Sequence, residues 1–200
     1  MDNVLQSLNA EFAELSARVQ GSLVRVGDGR IGAGAGTIWH PDGLVITNAH
    51  VLRGRKVKVT LPDGTELTAR LLAKDRKLDL AALSIDQEDL PTIELGNSKS
   101  LRPGEWVLAF GHPWGVHGAA TAGIIIGQGD QLPERPRFGR DWLAVNLHYR
   151  PGHSGGPLVD SSGKLVGINT IMAGPNVGLA VPIHEVKRFL KEKLNGNGTG

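Results

Sequence analysis

The most informative stretch of this sequence is Pro151-Gly152-His153-Ser154-Gly155-Gly156-Pro157-Leu158. It places a serine between glycines, on a turn that leads into an apolar strand. Glycines permit unusual backbone angles and a close approach by another chain. They also leave backbone N–H groups free to point at a developing oxyanion. Taken alone, the stretch would also suit a glycine-rich hairpin with an incidental serine.

A serine hydroxyl is a weak nucleophile that needs a base, and the base needs an orienting group. His50 ends an apolar strand in Thr47-Asn48-Ala49-His50-Val51, where a lone histidine is more often a core or strand-end residue. Asp79 lies inside an apolar run, and a buried carboxylate requires a partner. An imidazole is one partner; otherwise Asp79 caps a turn or pairs with Arg76 or Lys77. The order His, Asp, Ser is that of a chymotrypsin-type triad.

The spacing of apolar residues predicts an all-β protein with about a dozen short strands in two successive groups. Its 28 glycines and 11 prolines suit many tight turns. The first group of predicted strands comprises Ser22–Val26, Gly36–His40, Leu44–Asn48, Val57–Leu61, Glu66–Ala73 and Leu80–Ile85. The second group comprises Trp106–Gly111, Ala119–Gly127, Trp142–Asn146, Pro157–Asp160, Leu165–Thr170 and Gly178–Pro182. Turns are predicted between strands at residues 41–43 and 62–64, and a hairpin at 160–164.

Helical periodicity appears at both ends of the chain. Apolar residues recur at steps of three and four near the N-terminus, at Leu5, Leu8, Phe12, Leu15 and Val19. This amphipathic helix either lies on the body of its own domain or forms an oligomer contact. A second helix follows Pro182, with basic residues in its last turns.

Composition excludes several classes of function. The chain has no cysteine, so disulfides and a cysteine nucleophile are excluded. The net charge is +2, and the basic clusters lack interleaved aromatic residues, so no nucleic-acid partner is predicted. No run of about 18 apolar residues predicts a membrane span. No signal peptide is predicted after Met1, which leaves a cytoplasmic location or a form whose leader has been removed.

Two other candidate sites are weaker. The stretch Gly32-Ala33-Gly34-Ala35-Gly36 superficially suggests a phosphate loop, but no helix follows it, so close strand packing is the better interpretation. The histidines at positions 50, 112, 117, 148 and 153 lie in different loops without paired helical spacing. Zinc hydrolysis is therefore a poor second explanation, and no metal is predicted.

The chain resembles the protease domain of the HtrA/DegP-like, trypsin-type serine proteases over nearly all of residues 21–190. Besides the three segments around His50, Asp79 and Ser154, the similarity includes several dispersed stretches in family order. These are residues 32–36, 95–98, 101–105, 111–115, 121–125, 166–170 and 178–182.

The resemblance implies two six-stranded antiparallel β-barrels with short N- and C-terminal helices. Residues 1–20 would form the first helix, 21–90 the first barrel, 91–182 the second barrel, 183–195 the last helix and 196–200 a flexible tail. It further implies polypeptide substrates, a homo-oligomer with a trimer favoured, and no cofactor. No PDZ domain follows Leu194 in this chain.

The resemblance also implies the roles of the site residues. His50 would act as the general base towards Ser154, and Asp79 would orient the imidazole. The N–H groups of Gly152 and Ser154 would form the oxyanion hole. Counting back from the serine, one wall of the primary specificity pocket would contain His148, Tyr149 and Arg150, and the opposite wall Ile168, Asn169, Thr170 and Ile171. No Asp is expected at the pocket base, so small or medium aliphatic side chains are favoured over Lys or Arg.

One residue departs from the family pattern. The family usually has Asn where this chain has His153, which suggests a pH-sensitive oxyanion loop. The function predicted is a serine endopeptidase acting on unfolded or misfolded proteins. The alternative is a chaperone-like peptide-binding module in which the protease site is latent.

Overall fold

The computed structural model describes residues 2–27, 34–54, 56–132 and 141–194. The tail predicted at 196–200, residue 195 and residues 32–33 of the glycine-rich stretch lie outside the described residues. Helix α1 spans Asp2–Gln20 and helix α2 spans Ile183–Leu194. The six strands of the first group are β1 (Leu23–Gly27), β2 (Gly34–His40), β3 (Leu44–Thr47), β4 (Val57–Thr60), β5 (Glu66–Asp75) and β6 (Leu80–Ser84). Those of the second are β7 (Trp106–Gly111), β8 (Ala119–Gln128), β9 (Leu143–Val145), β10 (Pro157–Asp160), β11 (Leu165–Gly174) and β12 (Val177–Pro182).

The strands form two closed antiparallel barrels, as the sequence predicts. The first barrel has the strand order β1-β2-β3-β6-β5-β4, and the second has the order β10-β11-β12-β9-β8-β7. Closure removes the unpaired outer strands that an open sheet would expose. The all-β fold class with two terminal helices is therefore confirmed.

The largest difference from the predicted strand ends is in β11. It continues to Gly174, four residues beyond the predicted end at Thr170. The turn after Gly174 is tight, and within it Asn176 adopts a left-handed backbone with φ 57°. β11 therefore stays paired with β12 up to the contact between Gly174 and Val177.

Three apolar clusters fill the molecule. One occupies the interior of the first barrel and includes Val24, Ile38 and Leu83. A second occupies the interior of the other barrel and includes Leu143 and Leu158. The third joins side chains from both barrels and both helices: Leu15, Val19, Leu23, Ile46, Leu80, Phe110, Leu165, Val186 and Phe189 are among its members. The two barrels are thus packed together through a shared core.

The two helices pack differently. Helix α2 contacts β5 and β6 of one barrel and β11 and β12 of the other. Helix α1 is buried only in its second half, through Leu15 and Val19. Leu5 and Leu8 in its first half are 68% and 46% exposed. The first half of α1 thus leaves its apolar side uncovered in the single chain.

Candidate active site

A cleft of about 290 Å³ lies between the barrels. The first barrel contributes the side that contains Gly34 and His50, and the second contributes the side that contains Ser154. The remaining lining residues are Val51, Arg53, Tyr149, Arg150, Pro151, Gly152, Thr170, Ile171 and Met172. Residues that are distant in the sequence therefore meet in one groove.

His50 and Asp79 form a two-point hydrogen bond at one end of this cleft. His50 lies in a 3₁₀ turn, Ala49–Val51, directly after β3. Asp79 precedes β6 with φ 52°, a left-handed conformation that is uncommon for a residue with a side chain. Its Oδ2 accepts the Nδ1–H of His50 at 2.7 Å, and its Oδ1 accepts the backbone N–H of His50 at 3.0 Å.

This pairing fixes the imidazole in one tautomer. With its Nδ1–H donated to the carboxylate, His50 keeps Nε2 as a proton acceptor. Among the described residues, no ion pair joins Asp79 to Arg76 or Lys77, the alternative partners considered from the sequence. The Asp79 side chain is only 15% exposed, whereas that of His50 is 38% exposed. The carboxylate is therefore sheltered behind an imidazole that faces the cleft.

Asn48 supports the Asp79 backbone, a role that sequence reasoning missed. Its Nδ2 donates to the Asp79 carbonyl at 2.9 Å and to the Thr170 hydroxyl oxygen at 3.1 Å. The Ala49 N–H donates to the same Asp79 carbonyl at 3.2 Å. Asn48 is fully buried. Its position as a polar residue at the end of an apolar strand was the available signal, since a buried amide requires partners.

Ser154 is placed by a tight turn that docks on the first barrel. Its carbonyl accepts the N–H of Ala35 at 2.8 Å. Gly155 has φ 88°, and a Cβ there would lie 2.1 Å from the Ala35 carbonyl oxygen and 2.4 Å from the Thr47 hydroxyl. Thr37 donates its hydroxyl to the Gly155 carbonyl at 3.2 Å. Only glycine fits position 155, because both the backbone angle and the space exclude a side chain.

The Ser154 hydroxyl donates to the Thr170 carbonyl at 2.9 Å. Within the described residues, this hydroxyl makes no hydrogen bond to His50. The sequence predicts an imidazole that bridges the carboxylate and the hydroxyl, and the structure has the carboxylate half. The carbonyl is a competing acceptor within reach, and one change of the Ser154 rotamer releases the hydroxyl from it.

The backbone on the N-terminal side of Ser154 leaves two donors free. Gly152 has φ 109°, and a Cβ there would lie 2.4 Å from the His112 carbonyl oxygen. The Gly152 carbonyl accepts the backbone N–H of His112 at 2.9 Å and so points away from the cleft. The N–H groups of Gly152 and Ser154 donate to no other group in the part of the chain described. This arrangement can bind a negatively charged oxygen beside the serine.

Comparison with known proteins identifies a family. Residues 34–168 match the trypsin-like peptidase domain family. The chain belongs to the trypsin-like peptidase domain family.

Relatives of this peptidase domain are serine proteases of the DegP and HtrA type. The "Probable periplasmic serine endoprotease DegP-like" of Pseudomonas savastanoi pv. phaseolicola is 40% identical over 171 residues, which cover 82% of this chain and 35% of the relative. "Serine protease HTRA1" of Xenopus tropicalis is 36% identical over 173 residues, which cover 84% and 37%. The chain thus spans little more than a third of the length of these relatives.

Solved structures extend the similarity to the fold. "HtrA-type protease AlgW with tripeptide" aligns with a TM-score of 0.82 at 32% identity, covering 92% of this chain and 64% of that one. "HtrA-type protease AlgW with decapeptide" also aligns with a TM-score of 0.82, at 28% identity. That alignment covers 92% of this chain and 67% of the other.

The structure brings only part of the predicted pocket walls of this peptidase domain into the cleft. Of the seven residues predicted, Tyr149, Arg150, Thr170 and Ile171 line the cleft. His148 is exposed and is not among the described residues that line it. The Ile168 side chain is fully buried in the core, and that of Asn169 is buried with its Nδ2 donating to the carbonyls of Phe110 and Pro157. Side chains alternate along a strand, so these two lie on opposite faces of β11, and both faces are covered here. Ile168 packs in the apolar cluster shared by the barrels, and Asn169 lies against backbone carbonyls of the second barrel.

A second titratable group lies at the start of α2. His184 Nε2 is 3.4 Å from an Asp141 oxygen and 3.6 Å from a Glu185 oxygen, and its Nδ1 is 2.9 Å from the Ser98 hydroxyl. Glu185 also pairs with Arg188. Both ring nitrogens of His184 thus have polar partners within the protein, and the helix N-terminus and Arg188 disfavour an added cation beside them. Neither of the two described α-helices has the length and apolar character needed to cross a membrane.

His112 packs against the turn that contains Gly152, and the pKa of its imidazole is unusual. Burial lowers the pKa of His112 to about 4, and the neighbouring His117, Arg25 and His153 add to this effect. Its Nδ1 accepts the Gly118 N–H at 3.3 Å, a contact that needs an unprotonated nitrogen. The folded chain therefore holds this imidazole neutral.

Acidification should destabilise this peptidase domain through His112. Between pH 6.5 and pH 4 the unfolded state binds a proton at this site and the folded state does not, so stability falls as pH falls. The loss between pH 7 and pH 5 is about 2 kcal/mol, from roughly 1.4 kcal/mol per pH unit. Urea unfolding at pH 7 and pH 5 measures this loss in the free energy of unfolding. The loss should be about 2 kcal/mol smaller in His112→Gln than in the wild type. The control His40→Gln, at an exposed position, should show the wild-type loss. Equal losses in wild type and His112→Gln would contradict the assignment.

Proposed function

We propose that this chain is a serine endopeptidase in which Ser154 is the nucleophile, His50 the general base and Asp79 the orienting carboxylate. The observation that carries the proposal is the two-point pairing of His50 with Asp79 in the same cleft as Ser154. A carboxylate that holds Nδ1–H leaves Nε2 to take the serine proton, which is the arrangement that a serine hydroxyl needs to attack a carbonyl.

The reaction proceeds in two halves. As His50 Nε2 takes its proton, Ser154 Oγ forms a bond to the carbonyl carbon of the substrate, and the carbonyl oxygen becomes an oxyanion. The N–H groups of Gly152 and Ser154 bind that oxyanion, and loss of one such donor costs about 3 kcal/mol of transition-state stabilisation. His50 then gives its proton to the departing amine as the peptide bond breaks. A water, deprotonated by His50, cleaves the acyl-enzyme in the same way.

Substrates would bind as an extended strand. β11 is paired with β10 only as far as Ile168. Two hydrogen bonds end that ladder: the Gly155 N–H donates to the Asn169 carbonyl, and the Asn169 N–H donates to the Gly156 carbonyl. After Asn169, the edge of β11 that faces Ser154 has no strand partner along Thr170–Met172 among the described residues. An extended peptide can add to such a free strand edge. Folded domains rarely offer an extended segment, so we infer unfolded or misfolded polypeptides as the substrate class.

A latent peptide-binding module is the second candidate, because one observation favours it. The Ser154 hydroxyl is hydrogen-bonded to Thr170 and not to His50, so the hydroxyl must rotate before it can attack. In that alternative the β11 edge would still bind extended chains, but without cleavage.

A fluorophosphonate probe distinguishes these functions, since an activated serine displaces its fluoride and keeps the label. We expect labelling of the wild type and of Ser100→Ala, and none of Ser154→Ala. Asp79→Asn should label more slowly by orders of magnitude, since the corresponding change in a characterised triad costs about 10⁴ in kcat. A wild-type chain that cleaves no unfolded protein and takes no label under any condition would leave the binding module as the function.

Tyr149 would limit the size of the side chain that fits the primary specificity pocket. Its ring is buried, and a Cβ on Gly178 would lie 2.7 Å from it, so the ring is seated against β12. The hydroxyl is buried without a hydrogen-bond partner among the described residues. Tyr149 lines the cleft together with Thr170 and Ile171, and we infer that so large a residue there favours small aliphatic side chains before the cleaved bond.

Shortening Tyr149 should change this preference. In Tyr149→Val, the ratio of kcat/KM for a Leu substrate to that for an Ala substrate should rise about tenfold or more, since each added methylene in a pocket is worth roughly 10-fold. Tyr149→Phe retains the ring and should keep the wild-type ratio. Matched peptide substrates differing only at that position provide the measurement. The same ratio in all three proteins would show that Tyr149 does not limit the pocket.

We further propose that the chain self-associates through α1, with a trimer as the expected form. Val4, Leu5 and Leu8 are largely exposed on the first half of the helix. Burying such a side chain stabilises an assembly by about 1.5–3 kcal/mol each. The apolar stripe that buries Leu15 and Val19 therefore continues onto a face that another chain can cover.

Light scattering tests this association. The wild type should have a mass above that of one chain, and Leu5→Glu with Leu8→Glu should reduce it to the monomer. Gln6→Glu places a charge on the opposite side of the helix and should leave the mass unchanged. A wild-type chain that stays monomeric at high concentration would rule out this use of α1.

A further inference from the structure

His153 precedes Ser154, and its imidazole is buried rather than directed into the cleft. Only 4% of the residue is exposed. Its ring stacks on the Tyr149 ring with centroids 5.8 Å apart and planes 26° apart. A Cβ on Gly111 would lie 2.6 Å from the His153 Cα, so β7 packs directly beneath this position. The side chain is thus part of the support under the turn formed by residues 150–153.

The imidazole closes that turn through one nitrogen. His153 Nδ1 accepts the backbone N–H of Arg150 at 3.1 Å. The backbone N–H of His153 donates to the Arg150 carbonyl at 3.0 Å. Both polar groups of the Arg150 backbone are therefore held by His153. Because Nδ1 accepts a hydrogen bond here, it carries no proton.

Further contacts hold the same turn from outside. The Arg150 guanidinium lies over the Trp114 ring, 4.5 Å from its centroid. The Gly152 carbonyl is held by the His112 N–H. Gly152 lies between these anchors, and its own N–H remains free. The direction of this N–H therefore depends on the shape of the turn.

We propose that His153 is a positioning residue: its unprotonated Nδ1 holds the Arg150 N–H and so keeps the turn that presents the Gly152 N–H to the oxyanion, and protonation of His153 releases this turn. The proposal rests on the proposed function, because it assigns a role in the same reaction. His153 itself does not touch the substrate.

Protonation removes the acceptor and creates a donor. A proton on Nδ1 faces the Arg150 N–H and can be donated only to the Arg150 carbonyl, 3.2 Å away, which already accepts the His153 N–H. Within the described ranges of the chain, the titratable and charged groups around the imidazole are Arg150, Tyr149 on the stacked face, and His112. None of these is a carboxylate that would stabilise the imidazolium. Burial lowers the pKa of His153; the Arg150 backbone carbonyl raises it and the charge of Arg150 lowers it, but burial is the largest effect, so the neutral form predominates near neutral pH.

Two substitutions separate the acceptor from the ionisable group. His153→Asn places an amide oxygen near the position of Nδ1, so it can accept the Arg150 N–H but cannot be protonated. His153→Leu retains bulk and has no acceptor. At pH 8 we expect His153→Asn to remain within a few-fold of wild type, and His153→Leu to lose about 10- to 100-fold in kcat with little change in KM, part of the effect of a lost oxyanion donor.

The pH profile of kcat/KM provides the readout that a merely structural role would not change. Both proteins lose activity when His50 is protonated. In the wild type the second proton, on His153, should steepen the acid limb of the logarithmic plot towards a slope of two, whereas His153→Asn should keep a slope of one. Identical acid limbs in the two proteins would overturn the proposal, and so would an unchanged kcat in a folded His153→Leu.

Failure of the proposed function would be visible separately. Fluorophosphonate labelling of the wild type at pH 8 reports the Ser154 nucleophile without reference to His153. A labelled wild type with the same acid limb as His153→Asn refutes only the positioning role. If His153→Leu does not fold, the comparison of the wild type with His153→Asn still decides the question.

Discussion

One backbone hydrogen bond between the barrels determines where the chemistry can occur. The Ala35 N–H of β2 donates to the Ser154 carbonyl at 2.8 Å, and Gly155 packs against the same strand. This contact brings a turn of the second barrel onto the wall of the first, next to the His50 turn. Because Gly155 has neither a Cβ nor an ordinary backbone angle, the approach is closer than any other residue would allow. The cleft geometry depends on this approach.

The residues around the cleft share a second property, which is a positive backbone φ fixed by packing; it is costly at Asp79 and tolerated at the glycines. Asp79 adopts a left-handed conformation, and Gly152 and Gly155 also have positive φ. Such conformations persist where surrounding contacts fix them. Asn48 fixes the Asp79 backbone, and the contacts of the Ala35 strand fix Gly155. The local cost is thus balanced by hydrogen bonds from both barrels, so the site exists only in the assembled pair.

The sequence was sufficient for the fold class, because alternating apolar residues and turn residues mark each strand locally. It also indicated His50, Asp79 and Ser154, since each lies in a short motif whose chemistry is readable. It did not indicate that Ile168 and Asn169 are both buried, because counting from Ser154 does not show that both faces of β11 are covered at these positions. The rotamer of Ser154 and the amide of Asn48 depend on contacts between residues distant in the chain. No single-chain pattern encodes such contacts.

The core shared by both barrels has a consequence for how the chain denatures. Phe189 and Val186 of α2 lie in one apolar cluster with Ile46 and Leu80 of the first barrel and Phe110 and Leu165 of the second. Separating the barrels would expose this cluster to water, at about 25 cal/mol for each Å² of apolar surface. Neither half can then melt without destabilising the other. The two barrels are architectural units, but they form a single cooperative unit of unfolding, and a chain cut between them would be expected to stay associated.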